Sequence, residues 1–272
     1  FDQALAMLTA SVLSARKLCA EVEVIAEDAS RADLPFLCKV ARLAIEAGAC
    51  AVTVADTVGY ATPADIRYYL ETLQREVPEL AGVLLGIHCH DDLGLATINT
   101  LAGLEAGARQ AHCTINGLGE RAGNAALEEV VMAMVSRPDR FPFRSRLDTT
   151  RLYATSMLVS EVTGFPIPPN KAIVGGNAFA HGAGLHQDGM FKASSMYEII
   201  RPELVGAPAR RFPITRHSGR KGLAMRLAEL DLILSEDDLS LLFTLVKAHL
   251  IHSAILSDEE LLALKTQLMQ RS

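Results

Sequence analysis

The sequence predicts an α/β protein: a run of parallel strand-loop-helix units followed by a small, mainly helical subdomain. Three observations predict it. Four short apolar runs are each followed by a polar loop and then by a stretch of helical period. The side chains able to do chemistry gather in those loops, at the C-terminal ends of the strands. From about Ser145 the composition shifts to proline and glycine and then to helical runs. A (β/α)8 barrel gives the one-ended distribution of polar loops its simplest explanation. Four strands do not close such a barrel, so either the sheet is open or the other strands lie upstream of Phe1.

Taken in order, residues 1–20 carry apolar groups at Leu5, Leu8, Val12, Leu13 and Leu18, with charge at Asp2, Arg16 and Lys17, which predicts a helix resting on a sheet. Val22-Glu23-Val24-Ile25-Ala26 predicts the first strand, ending in Glu27-Asp28-Ala29-Ser30-Arg31. Ser30, with Asp33 three residues on, reads as a capping box for a helix through Ala47 that Gly48 closes. A second strand, 51–55, runs into Asp56-Thr57-Val58-Gly59, and Thr62-Pro63-Ala64-Asp65 caps the next helix with proline at its first position. The third apolar run, 83–87, leads into His88-Cys89-His90-Asp91-Asp92-Leu93-Gly94 and a helix over 96–106 stopped by Gly107. Residues 110–115 predict a fourth strand, 116–124 a glycine-spaced polar loop, and 125–136 a helix that Pro138 stops. Farther on, Pro166, Pro168, Pro169 and the segment His181 to Gly189 are loop-like. Helices are predicted over 223–230, 237–251 and 258–269, with Ser235 and Ser257 as N-caps of the last two.

Composition narrows the function. The 272 residues, half of them hydrophobic, suffice for a large core. A net charge of −6, with no basic cluster interleaved with aromatics, argues against a nucleic-acid partner. No apolar run reaches membrane-spanning length, and neither a secretory nor a transit signal opens the chain, so no membrane partner is expected. The five cysteines, at 19, 38, 50, 89 and 113, lack C-x-x-C spacing and predict reduced, buried thiols in a cytoplasmic protein. Phe1 falls inside a helical pattern without an initiator methionine, so the gene product is expected to begin upstream.

Chemistry-bearing candidates lie on four loops: Glu27 and Asp28; Asp56 and Thr57; His88 and His90; Glu120, Arg121 and Asn124. Side chains alternate along a strand, so His88 and His90 share a face and Cys89 takes the other, which makes half of a metal site. Two imidazoles with oxygen ligands would hold a divalent cation able to polarise the carbonyl of a 2-oxo acid. Each residue also has a plainer role: Asp56 as a turn cap, Arg121 as the partner of Glu120, the glycines as makers of tight geometry. Asn116-Gly117-Leu118-Gly119 as a phosphate cradle is weak, because no lysine and Ser/Thr pair follows it.

His88 to Gly94, the loop Asn116 to Asn124, Glu27 to Arg31, Asp56 to Gly59 and His186-Gln187-Asp188-Gly189 together resemble the 2-isopropylmalate synthases and their sister homocitrate synthases. The resemblance spans nearly the whole chain. It implies addition of acetyl-CoA to a 2-oxo acid on a divalent metal (Mg, Mn or Zn) in a TIM barrel, followed by thioester hydrolysis. It further implies His88, His90 and Asn124 at the metal, Thr57 and Arg121 on the substrate, and Glu27 in the substrate pocket with a catalytic part. His186 and Tyr197 would assist the acetyl-CoA step, contributed from the partner subunit of a homodimer, with Gln187 and Asp188 as weaker candidates. Residues 1–144 would then be strands 5–8 of the barrel, making this the C-terminal half of a TIM (β/α)8 barrel, and 145–272 a linker and helical subdomain. The family's Arg-Asp-Gly motif, with its aspartate ligand and catalytic arginine, does not occur in these residues. The substrate is divided: Glu27 to Asp33 leans to homocitrate synthases and 2-oxoglutarate. Asn170 to Gly175, His186 to Gly189 and Tyr197 to Ile200 lean to isopropylmalate synthases, 2-oxoisovalerate and leucine biosynthesis. A catalytically incomplete partner subunit, or an aldolase or lyase on the same barrel, are the other readings.

Overall fold

The four apolar runs fold as four parallel strands in chain order: β1 (Glu23–Ala26), β2 (Ala51–Asp56), β3 (Leu84–Cys89) and β4 (Gln110–His112). The structure, a computed structural model, describes residues 2–183, 198–210 and 212–270. The chain divides into two units, Phe1–Leu147 with Leu158–Thr163, and Asp148–Met157 with Gly164–Ser272.

In the first unit the strands alternate with α1 (Asp2–Arg16), α2 (Leu34–Glu46), α3 (Pro63–Glu76), α4 (Ala96–Glu105) and α5 (Leu127–Ser136). Parallel pairing sets Ala26, Val54, Ile87 and Ala111 in one row across the sheet, and helices cover that face. Val54 and Ile87 there are buried among Ile66, Leu70 and Leu73 of α3. A strand whose two faces are both covered loses its polar alternation, and β2 is buried at all six positions. The α/β class, with strands feeding helices in a single parallel sheet and a helical part after it, is as the sequence predicts.

Several local expectations are corrected. The N-cap of α2 is Asp33, whose carboxylate accepts from Phe36 N at 3.2 Å; Ser30 lies in a 3-10 turn and donates instead to Asp56. The buried Asp56 carboxylate needs that donor more than the exposed helix start does. α1 packs mainly on α2, with Val12 buried in the core that the strands share and Met7, Leu13 and Leu18 left exposed. β4 ends at His112, and α5 begins at Leu127, because Asn124 and Ala126 are held in extended bridges to His90 and Thr114. Thr62 and Asp65 form the expected capping box of α3.

Helix α6 (Leu152–Thr163) runs across the division between the units. The second unit pairs β5 (Ile214–Thr215) antiparallel with β6 (Ile255–Leu256), beside α7 (Arg220–Glu229), α8 (Glu236–His249) and α9 (Asp258–Met269). Leu223, Leu227, Leu242, Leu250 and Leu261 make its core. Ser235 caps α8 and Ser257 caps α9, as their spacing predicts. The two-residue strands went unpredicted, being too short to show a period. Among the described residues no helix is long and apolar enough to cross a membrane.

Candidate active site

At the end of β3, His88 and His90 lie on one side of the strand with ring centroids 4.9 Å apart, while Cys89 turns into the helix-covered core. Burial pushes the Cys89 thiol up to about 12. Burial, and then the neighbouring His90 and His112 rings, hold the His88 imidazole below its ordinary value. His88 is therefore neutral near pH 7, the form that offers a lone pair.

The loop after β4 carries Asn124 back to His90. Asn116 (φ 62) and Arg121 (φ 56) adopt left-handed backbone, and a Cβ on Gly123 would stand 2.0 Å from Gly117 O, so only glycine lets the loop fold this tightly. Asp91 N donates to Gly123 O at 2.9 Å and Ala125 N to Cys89 O at 3.1 Å, which ties the loop to the end of β3. The Asn124 amide nitrogen donates to Leu118 O at 3.2 Å, and that contact settles which way the amide faces. Asn124 Oδ1 and His90 Nδ1 are both buried without a hydrogen-bond partner.

At the end of β2, Asp56 is fully buried and accepts from Ser30 Oγ at 2.7 Å, Tyr60 N at 3.1 Å and Ala61 N at 3.2 Å, which makes it the closure of its own turn. The next residue, Thr57, accepts from Asp28 N at 2.8 Å through Oγ1 and keeps its O–H proton for another acceptor. Glu27 stands exposed at the end of β1. Arg121 pairs closely with Asp92, at 2.8 Å, and more loosely with Glu120, at 3.7 Å. The Arg121 guanidinium holds the Asp92 carboxyl below the usual carboxylate range.

Two buried polar atoms without a hydrogen-bond partner, on residues joined by a backbone bridge, carry a desolvation cost that a cation would relieve. The His88 and His90 imidazoles and the Asn124 amide oxygen thus fit part of a metal shell. Among the described residues no three His, Cys, Asp or Glu side chains group tightly enough to hold a metal ion by themselves.

Glu27, Thr57, His88, His90, Arg121 and Asn124 all come to the strand-end side of one sheet. His186, Gln187, Asp188 and Tyr197 lie outside the described residues. Sequence reasoning missed a second group on the face that His88 shares. His112, level with His88 across β3 and β4, lies 3.0 Å from Glu23 Oε1, and Gln110 Nε2 donates to the same oxygen at 2.9 Å. The period of two along β1 and β4 was the available signal, since it puts Glu23, Gln110 and His112 on one face.

Residues 1–159 match the family model described as HMGL-like, and residues 173–253 the one described as homocitrate synthase post-HMGL domain-like. A protein named 2-isopropylmalate synthase from Carboxydothermus hydrogenoformans is 49% identical over 255 residues, covering 94% of this chain and 50% of that protein. One of the same name from Bradyrhizobium diazoefficiens is 44% identical over 271 residues, covering 100% of this chain and 52% of its own. The chain thus spans about half the length of the curated relatives it matches. Among solved structures, the HMG-CoA lyase of Bacillus subtilis aligns with a TM-score of 0.53 at 21% identity, over 61% of this chain and 58% of that one. The hydroxymethylglutaryl-CoA lyase of Pseudomonas aeruginosa gives 0.53 at 23%, over 61% and 57%. At such identities the likeness concerns the fold, that of a TIM barrel.

Proposed function

The chain belongs to the HMGL-like family, and on that premise we propose that it carries the metal-holding and 2-oxo-acid-binding part of a 2-isopropylmalate synthase. The reaction would join acetyl-CoA to 2-oxoisovalerate and hydrolyse the thioester, in leucine biosynthesis. One observation carries the reading: His90 Nδ1 and Asn124 Oδ1 are buried beside each other's backbone with no hydrogen-bond partner, next to a neutral His88. A divalent cation (Mg, Mn or Zn), when bound, would act as a Lewis acid on the ketone of the 2-oxo acid. His88, His90 and Asn124 would hold it.

The chain's other groups have separate tasks. The Thr57 hydroxyl donates its proton to the substrate carboxylate, and Glu27 stands at the rim of the same pocket. Bond formation requires that a proton leave the acetyl methyl, and His186 with Tyr197 are proposed to take and relay it. By the family resemblance these two come from the partner subunit of a homodimer. The unpaired thiols and the absence of C-x-x-C spacing support a cytoplasmic location. The names of the relatives favour 2-oxoisovalerate. The family model over 173–253 and the Glu27 to Asp33 segment keep a homocitrate synthase with 2-oxoglutarate as the second reading. That substrate needs a cation for its distal carboxylate, whereas 2-oxoisovalerate needs an apolar wall.

The test is thiol release from acetyl-CoA by the full gene product with 2-oxoisovalerate, 2-oxoglutarate or pyruvate. The largest rate is expected with 2-oxoisovalerate. A largest rate with 2-oxoglutarate would move the assignment to homocitrate synthase, and no release with any of them would leave a catalytically incomplete partner subunit. In the same protein, replacing both His88 and His90 with alanine should abolish activity and bound metal and leave the circular dichroism spectrum in place. Undiminished activity would remove these histidines from the mechanism.

A further inference from the structure

Arg121 lies where the loops after β2, β3 and β4 meet. Its Nε and Nη2 donate to the two oxygens of Asp92 at 2.8 and 2.9 Å, and Nη2 also donates to the main-chain oxygen of Thr57 at 2.7 Å. We propose that Arg121 is a positioning residue that works through Asp92 and the Thr57 carbonyl to aim the Thr57 hydroxyl at the substrate carboxylate, and does not itself touch the substrate. The proposal rests on the role given to Thr57 above.

Four observations carry it. First, the guanidinium is already engaged: a bidentate carboxylate fixes its plane, the remaining Nη2 proton goes to Thr57 O, and Nη1 faces Glu120 at 3.7 Å. Second, Asp92 is seated against the turn it helps to hold. A Cβ on Gly59 would stand 2.7 Å from both Asp92 N and Asp92 Oδ2, so the 57–59 turn and the loop after β3 meet at backbone distance. Third, Thr57 is gripped from the other side as well, by Asp28 N on Oγ1. Asp28 is itself left-handed (φ 56), and its carboxylate is bound bidentately by Arg31 at 2.8 and 2.7 Å. Fourth, Arg121 keeps a left-handed backbone (φ 56) that a non-glycine residue adopts only where the surroundings impose it.

The pair is partly exposed, with 41% of the Arg121 side chain and 26% of Asp92 open to solvent, so as a salt bridge it adds little to stability. Its value is directional. A hydroxyl has one proton to donate, and a small tilt of the 57–59 turn takes that proton off the carboxylate.

The experiment uses the full gene product in three variants, Arg121→Gln, Asp92→Asn and the two combined. Each single change is expected to raise the KM for the 2-oxo acid about tenfold, as for the loss of one hydrogen bond to a charged group. The KM for acetyl-CoA should stay as it was, and the double variant should be no worse than either single one. Arg121→Lys, which keeps the charge but not the fork, should behave like Arg121→Gln. A silent Asp92→Asn beside a defective Arg121→Gln, or effects that multiply in the double variant, would place Arg121 on the substrate and overturn the proposal. Hydrogen exchange of the amides at 57–60 gives a readout apart from activity. It should quicken in both single variants, and unchanged exchange overturns the proposal too. If the wild type releases no thiol with any 2-oxo acid, it is the functional reading that has failed, and exchange then reports on the loop contact alone.

Discussion

The row Ala26-Val54-Ile87-Ala111 and the row Ile25-Thr53-Gly86-Gln110 cross the same four strands one residue apart. In the first, every side chain is apolar and packs under the helices, with Val54 1% and Ile87 0% exposed. The second holds a threonine, a glycine and a glutamine, and its one large apolar group, Ile25, is 51% exposed. Thr53 Oγ1 donates to the Glu23 carboxylate, and Gln110 donates to that carboxylate as well. His88, level with Ala55 and His112, belongs to this second face. One face is thus settled by packing, where volume decides, and the other by hydrogen bonds, where partners decide. Chemistry stands at the edge of the second because polar side chains there already have a network to join.

The largest effect should come from the packed row. Ile87→Ala removes a fully buried side chain against which Gly103 is seated, where a Cβ would lie 2.9 Å from Ile87 Cγ1. Unfolding in urea should show a loss of about 2–5 kcal/mol. A loss below about 1 kcal/mol would mean that this row closes up around the gap, and that the contrast between the two faces is weaker than their side chains suggest.

Gly86→Ala tests the hydrogen-bonded row. The new Cβ would sit 1.9 Å from Thr53 Oγ1, so the threonine must leave its place beside Glu23. A loss of about 1–3 kcal/mol is expected in the same measurement. Combined with Thr53→Ala, the substitution should cost less than it does alone, because the clash goes with the hydroxyl. Simple addition of the two losses would show that the hydroxyl is not what excludes a side chain at 86.

These two rows also mark how much the sequence could say. The helix-facing row was legible because apolar runs bounded by turn residues report burial without any knowledge of partners. So were the capping residues Thr62, Ser235 and Ser257, whose donors lie three residues away. His88 and His90 were legible as a pair because the period of a strand fixes their common side. Ser30 reads as a helix cap in the sequence because its acceptor, Asp56, is distant in the chain and close only after β1 and β2 pair. The Arg121–Glu120 pair is legible because the two are neighbours in the chain, whereas the tighter pair with Asp92 forms only through the fold, across two loops. Local rules find what a residue does with its neighbours in the chain, and a site assembled from four loops is made of the other kind of contact.

The smallest effect concerns a thiol on the helix-facing side. Cys113, just past β4, packs against the apolar core of the first unit, and burial, then the Glu128 carboxylate, push its thiol up to about 12 from an ordinary value of 9.0. In the unfolded chain the same thiol ionises near its ordinary value. Between about pH 9 and 12 the unfolded state therefore releases a proton that the folded state retains, and stability falls as pH rises. The slope from this one group is at most about 1.4 kcal/mol per pH unit, and nothing is lost from it below about pH 8. Urea unfolding of the wild type and of Cys113→Ser from pH 7 to 10.5 should show the wild type losing stability faster above pH 9, with parallel curves below. Curves parallel throughout would mean that the apolar face does not reach the end of β4, and would shorten the packed side of the sheet by one residue.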